Sequence, residues 1–292
     1  DAVWHMAKDK KLRDEPKNEH YIGPPGTYGE YKRIYSKYAP ELHDYLRELT
    51  DIVESYPNKL IVFETSPDED LGPVVDQYAA LYDVNPRIGL PFNFGGMFLP
   101  WGARPMGDFV RDFQAMLRPT DRPAYCFSNH DQPRIVSRFG RRQSRVVAML
   151  LLTLPGLPTV YYGDEVGMEN VPVSPHAMQD PASANNPMGG RDPERSPMQW
   201  TSGRYAGFST HKPWLPVPIS ARVYNVALEQ RRPSSIFALY KKLLALRRDE
   251  PVFRDGMFTE LHNDERRNVL VYERRGADKA YRVALNFSGK YR

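Results

Sequence analysis

The fold is indicated by one stretch that changes from apolar to polar over a few residues, Ala124-Tyr125-Cys126-Phe127-Ser128-Asn129-His130-Asp131. A short apolar run bounded by breakers is typical of a strand that is covered on both faces. His130 and Asp131 therefore follow directly after a predicted buried strand. Side chains at such a position are available for chemistry, because sites are built from the loops that follow strands.

Other apolar runs along the chain have the same form. Predicted strands cover 60–63, 158–162 and, more weakly, 90–94. Helical patterns cover about 38–55, 108–117 and 142–154. Alternating strands and helices predict parallel strands, whose carboxyl ends lie on one side of the sheet or barrel. We therefore expect Glu64, which ends the first strand, to share a rim with Asp131.

The C-terminal part of the sequence has a different character. Residues 169–224 show no regular period and are rich in Pro, Gly, Asn and Ser, which indicates a long irregular segment covering the site. Ser234 or Ser235 then caps a predicted helix over 236–246. Antiparallel strands are predicted at 269–272 and 282–287. We expect one large domain over 1–250 and a small β domain over 251–292.

Composition excludes several classes of protein. The chain has 292 residues, of which 41% are hydrophobic and 26% charged, and its mean hydropathy is −0.60. These values predict a globular protein with no membrane span. The net charge is only +4 and the basic residues are scattered among acidic ones, so no nucleic-acid partner is expected. A single cysteine, Cys126, excludes an internal disulfide. No metal-ligand spacing stands out, no cofactor is predicted, and we expect a cytoplasmic location.

Three motifs resemble those of glycoside hydrolase family 13, the α-amylase family. The segment 127–134 resembles the family motif in which Asn-His-Asp is followed by Arg three residues on. The segment 156–165 is similar to the Gly-x-Pro and Gly-x-Glu of the last barrel strand. Arg-Asp-Pro-Glu-Arg-Ser-Pro-Met-Gln-Trp at 191–200 is similar to a segment of the α-glucosidase and oligo-1,6-glucosidase branch. The resemblance implies an α/β fold, the C-terminal half of a (β/α)8 TIM barrel followed by a short, truncated antiparallel β domain.

The same resemblance extends to the acids that the reaction needs. Asp1-Ala2-Val3-Trp4-His5 resembles the second half of the family's nucleophile motif, and Val62-Phe63-Glu64 resembles the strand end that carries the general acid. It implies Asp1, Glu64 and Asp131 as catalytic residues. It further implies substrate binding by three side chains, His130, Arg191 and His5.

These assignments imply a retaining hydrolase that acts on α-linked glucose oligosaccharides. Asp1 forms a covalent glycosyl-enzyme and Glu64 is acid and then base, so their carboxyl groups are expected about 5–5.5 Å apart. Asp131 and His130 bind sugar hydroxyls. Arg191 holds the terminal glucose, which favours exo attack on short chains.

Alternatives remain at this point. A transglycosylase or isomerase uses the same residues, and a non-catalytic binding subunit retains the fold alone. Asp131 has an ordinary alternative as a helix N-cap, Glu64 as a rim ion-pair partner, and Arg191 as a partner of Asp192 or Glu194. Trp101 is a candidate for stacking on sugar. We expect the N-terminal barrel half to be supplied in cis or as a separate fragment, and this chain to be inactive alone.

Overall fold

The chain divides into two units in a computed structural model that describes residues 2–23, 25, 29–67, 71, 73–183 and 190–289. The first unit comprises residues 1–93 and 112–124, and the second comprises residues 94–111 and 125–292. The domain boundary expected near residue 250 stays a prediction. Among the described helices, none is both long and apolar enough to cross a bilayer.

The first unit contains two parallel strands and two longer helices. Helix α1 spans Leu42–Glu54, strand β1 Ile61–Phe63, helix α2 Val74–Val84 and strand β2 Gly89–Asn93. Strand β1 pairs in parallel with β2, with Phe63 opposite Pro91, so the predicted parallel arrangement is confirmed for this pair. One apolar face of α1 packs against β1 and α2 and buries Leu42 and Leu46 completely. This core holds the end of β1, and therefore Glu64, in place.

The next elements along the chain include the strand that the opening stretch predicts. Helix α3 spans Gly95–Phe98, helix α4 Ala103–Met116, strand β3 Ala124–Cys126, helix α5 Ile135–Thr153 and strand β4 Leu157–Thr159. All residues of β3 are buried, and β4 is its neighbour in the sheet. Helix α5 begins seven residues before the predicted start. Gly140, at φ 78°, breaks its helical geometry, which explains why only the later part shows a clean period.

The rest of the second unit is irregular first and regular afterwards. The described residues between β4 and residue 225 form loops and short 3₁₀ turns, as expected for the irregular segment. Helices α6, α7 and α8 then span Val226–Glu229, Ile236–Asp249 and Val252–Asp255. They are followed by an antiparallel sheet of β5 (Met257–Asp264), β6 (Val269–Arg275) and β7 (Ala280–Asn286). The antiparallel prediction is confirmed for β6 and β7, and β5 is an additional strand.

Two buried arginines fix the C-terminal end of α5 in the second unit. Arg247 Nη1 donates to the carbonyls of Leu152 and Leu154 at 3.1 and 2.8 Å. Arg274 Nη1 donates to the carbonyl of Thr153 between them. Burial lowers the pKa of each guanidinium to about 10. Cations at this end of a helix are favourable, because its last carbonyls lack intrahelical donors.

Candidate active site

Asp131 lies in the loop after β3 and is held by hydrogen bonds to one of its carboxylate oxygens. Its Oδ1 accepts from Arg191 Nη1 at 2.9 Å and from Arg195 Nη2 at 2.8 Å. His130 Nε2 lies 3.5 Å from the same oxygen. Oδ2 has no hydrogen bond to any residue that the structure describes. The carboxylate is therefore oriented by two guanidiniums, and its second oxygen remains available to a ligand.

Arg191 is itself held by a buried acid. Its Nε and Nη2 donate to the two oxygens of Asp180 at 2.7 and 2.9 Å, and its backbone N–H donates to Asp180 as well. The Asp180 side chain is fully buried. The Arg191 guanidinium holds the pKa of Asp180 well below its usual range, and Asp180 raises the pKa of Arg191. This planar two-bond pair aims the remaining Nη1 at Asp131.

The second unit also buries an arginine and an acid that belong to two of the family motifs. Arg134 is fully buried, donates to the carbonyl of Tyr162 at 2.7 Å and lies over the rings of Tyr161 and Tyr162. Ser128 Oγ donates to the carboxyl group of Asp164. Burial raises the pKa of Asp164 to about 7. These residues anchor the loops that follow β3 and β4.

Glu64 follows β1 in the first unit and contacts the first described residues of the chain. Its Oε2 accepts from the backbone N–H of Ala2 at 3.3 Å, and its carbonyl accepts from Val3 at 3.2 Å. Ala2 has φ 43°, a left-handed conformation that is unfavourable for a residue with a Cβ. Strain of this kind persists only where neighbouring contacts enforce it. The residue next to Asp1 is thus tied to Glu64.

His5 lies in the 3₁₀ turn Val3–His5 of the same unit. Its Nδ1 is 2.8 Å from the carbonyl oxygen of Ser36. A carbonyl only accepts, so Nδ1 carries a proton and donates. Nε2 is then the ring nitrogen of His5 that is left to contact a ligand. The described part of the chain shows no group of three His, Cys, Asp or Glu side chains suited to a metal ion.

The structure decides some of the alternatives left open by the sequence. Helix α5 has Arg134 rather than Asp131 at its N-cap position, and Arg191 pairs with Asp180 and Asp131 rather than with Asp192 or Glu194. Trp101 stacks on Phe139 at 4.5 Å between ring centroids and donates to Gln143, and its stacking on sugar stays a prediction.

Other parts of the site prediction are incomplete or untested. Asp1 lies outside the described residues, so the convergence of the three acids stays a prediction. Sequence reasoning missed Asp180, which no motif marks. It also missed Arg195, although this arginine lies four residues after Arg191 in the motif 191–200 and could have been identified as part of the site.

Comparisons with known proteins agree with the motifs. The family model described as "Alpha amylase, catalytic domain" matches residues 1–256. The chain is 31% identical over 303 aligned residues to an α-glucosidase of Apis mellifera, covering 99% of this chain and 51% of that protein. It is 28% identical to the human amino acid transporter heavy chain SLC3A1, covering 98% of this chain and 42% of that protein.

A solved structure of the α-glucosyl transfer enzyme XgtA is similar over nearly the whole chain. The TM-score is 0.87 at 28% identity, over 98% of this chain and 55% of that one. This chain thus spans about half the length of the curated relatives it matches. With a family model covering most of its residues, the chain belongs to the α-amylase family, glycoside hydrolase family 13.

Proposed function

We propose that this chain carries the C-terminal part of a retaining α-glucosidase that removes glucose from short α-linked oligosaccharides. Family membership supports glycosidase chemistry, and α-glucosidases are among the relatives. The observation that carries the proposal for this chain is the oriented Asp131 carboxylate, with Oδ1 clamped by two arginines and Oδ2 open. Such an oxygen can bind a sugar hydroxyl without moving.

In this proposal each acid has a separate task. The Asp1 carboxylate attacks the anomeric carbon while Glu64 gives its proton to the departing oxygen, which leaves as an alcohol. Water then attacks the same carbon, Glu64 takes its proton, and the bond to Asp1 breaks. Glu64 uses Oε2 to accept from Ala2, which leaves Oε1 for the transferred proton.

Asp131, His130 and Arg191 serve binding rather than proton transfer. As the ring flattens towards the oxocarbenium ion, hydrogen bonds from its hydroxyls to a fixed carboxylate strengthen. Because both arginines hold Asp131 in place beforehand, little reorganisation is needed in the transition state. We assign His5 a further hydrogen bond to substrate through Nε2.

The test is to trap the intermediate in a protein that joins this chain to an N-terminal barrel half of the family. A 5-fluoro-α-glucosyl fluoride probe should label Asp1, as seen by mass spectrometry of the digested protein. Glu64→Gln should leave labelling by this activated probe largely intact but lower turnover of maltose at least 10³-fold, a size typical of a lost general acid. Labelling elsewhere, or full activity of Glu64→Gln, would contradict the proposal.

A glucosyl transferase is the second candidate, favoured by the similarity to the transfer enzyme XgtA. The two activities share the glycosyl-enzyme and differ in whether water or a sugar hydroxyl attacks it. Product analysis on maltose separates them, because hydrolysis yields only glucose whereas transfer also yields trisaccharides. A folded, sugar-binding protein without any turnover would instead favour the role of a non-catalytic binding subunit.

A further inference from the structure

A cleft of about 630 Å³ lies in the second unit and is lined by several aromatic rings. We call it the aromatic cleft and define it by Tyr162, Glu165, Arg195, Trp200, Phe208 and Trp214. Trp214 is 79% exposed, and Trp200 and Phe208 are about half exposed. Large rings left open to water in one concave place indicate a binding site, since isolated exposed apolar side chains need no explanation but clusters do.

The cleft also carries charged groups with unused hydrogen-bonding capacity. Glu165 Oε2 accepts from the backbone N–H of Gly163 at 2.8 Å, and the carboxyl group also accepts from its own backbone N–H, which leaves lone pairs for a further donor. Arg195 donates through Nε to the His130 carbonyl and through Nη2 to Asp131. Its Nη1 makes no hydrogen bond to any described residue. One acceptor and one donor therefore border the exposed rings.

This combination fits a sugar better than an apolar protein segment. A pyranose has a face of C–H groups that packs on an aromatic ring and an edge of hydroxyls that both donate and accept. Small-molecule sites have the same make-up, mostly aromatic lining with few polar groups, in volumes of about 300–1,000 Å³. A purely apolar partner would remove water from the remaining N–H groups of Arg195 Nη1 without supplying a hydrogen bond, which is unfavourable.

Arg195 links the cleft to the candidate active site. The same guanidinium that contacts Asp131 at 2.8 Å also lines the cleft. An oligosaccharide in the cleft would thus lie beside the Asp131 cluster. We propose that the aromatic cleft is a separate binding site for an α-linked glucose oligosaccharide, with Trp214 and Phe208 as its stacking surfaces. The proposal relies on the proposed function only for the identity of the sugar.

The experiment measures maltotriose binding to the 292-residue chain by isothermal titration calorimetry, with β-linked cellotriose as comparison. We expect binding of maltotriose in the millimolar range, weakened about tenfold or more by Trp214→Ala and abolished by Trp214→Ala combined with Phe208→Ala. Tyr56→Ala, which removes a ring 61% exposed outside the cleft, should have no effect. Thermal unfolding confirms that each variant remains folded.

Three results would overturn the proposal. The first is that the folded chain does not bind maltotriose. The second is that Asp131→Asn abolishes binding while Trp214→Ala does not, which would place the sugar at Asp131. The third is a wild-type dimer that Trp214→Ala converts to monomer in sedimentation experiments, which would assign the cleft to a second copy of the chain. Full activity of Glu64→Gln in a protein with the complete barrel would contradict the proposed function, whereas maltotriose binding that depends on Trp214 would still support the cleft, so the two proposals fail separately.

Discussion

Asp180 controls Asp131 without belonging to any motif. Both of its carboxylate oxygens accept from Arg191, which donates to Asp131 through the other terminal nitrogen, Nη1. The sequence identifies Arg191 because this residue begins a ten-residue motif. Asp180 lies in an irregular stretch in which no pattern distinguishes one acidic residue from another. Residues that act through a partner are found only when the folded loops bring them together.

This arrangement predicts that Asp180→Asn lowers kcat/KM for an α-glucoside about 10- to 100-fold in a protein with the complete barrel. An amide cannot replace a fully buried carboxylate that accepts from three Arg191 N–H groups, so the guanidinium loses its fixed direction. Steady-state kinetics on p-nitrophenyl α-glucoside measures the loss. Asp83→Asn, which breaks only the exposed ion pair with Arg118, is the control. Unchanged kcat/KM for Asp180→Asn would show that Asp180 does not orient the site.

The buried carboxyl group of Asp164 makes the stability of the chain depend on pH up to the neutral range. Its pKa is raised by burial from 3.8 to about 7, so between these pH values the folded chain keeps a proton that the unfolded chain has lost. The free energy of unfolding therefore falls as pH rises from about 4 to about 7, by as much as about 4 kcal/mol at 1.4 kcal/mol per pKa unit. Above pH 7 this contribution is constant.

Urea denaturation of the wild-type chain and of Asp164→Asn across that pH range measures the effect. The asparagine has no proton to lose, so the difference in unfolding free energy should shift in favour of the variant as pH rises. Asp249→Asn is the control, because this acid is exposed and its pKa is lowered rather than raised. Parallel pH curves for wild type and Asp164→Asn would refute the assigned titration.

Helix α7 shows how an element is specified by one residue at its start. Ser235 Oγ accepts from the backbone N–H of Ala238 at 2.9 Å and donates to the carbonyl of Glu229 at 2.7 Å. The sequence left Ser234 and Ser235 as equal candidates, since both precede the apolar period. Only the buried hydroxyl is the cap, whereas Ser234 is exposed.

We predict that Ser235→Ala lowers the free energy of unfolding by about 1–2 kcal/mol, as lost N-caps do. Ser234→Ala is a matched control one residue away and should change stability by less than about 0.5 kcal/mol. Chemical denaturation of the two variants measures both values. Equal effects of the two substitutions would mean that Ser235 is not a cap in solution.

Helices with one apolar face and strands with a continuous apolar run could be predicted from the sequence. Elements without such a pattern could not. Helix α1 buries Leu42 and Leu46 on one face, and strands β1 and β3 are apolar runs that end in charge. Helix α2 was missed because its apolar residues lie on several faces and Pro73, at its N-cap position, has no capping side chain. Strand β5 was missed because all of its residues are partly or fully exposed, so no buried apolar face marks it.

Motifs predicted the family correctly, because a motif identifies the residues that carry chemistry, whereas hydrophobic periodicity identifies only helices and strands. Periodicity alone supported parallel strands, which the β1–β2 pair confirms, but not the barrel. A closed barrel depends on pairing between segments far apart in sequence, and no local pattern encodes such pairing. The relatives matched by this chain are about twice its length.

We therefore predict that the 292-residue chain alone releases p-nitrophenol from p-nitrophenyl α-glucoside no faster than its own Glu64→Gln variant. A nucleophile must be held within about half an ångström of its working position. Adding an N-terminal barrel half, in cis or as a co-expressed fragment, should raise turnover at least 10³-fold. Robust turnover by the lone chain that Asp1→Asn and Glu64→Gln both abolish would show that the chain assembles the site without it.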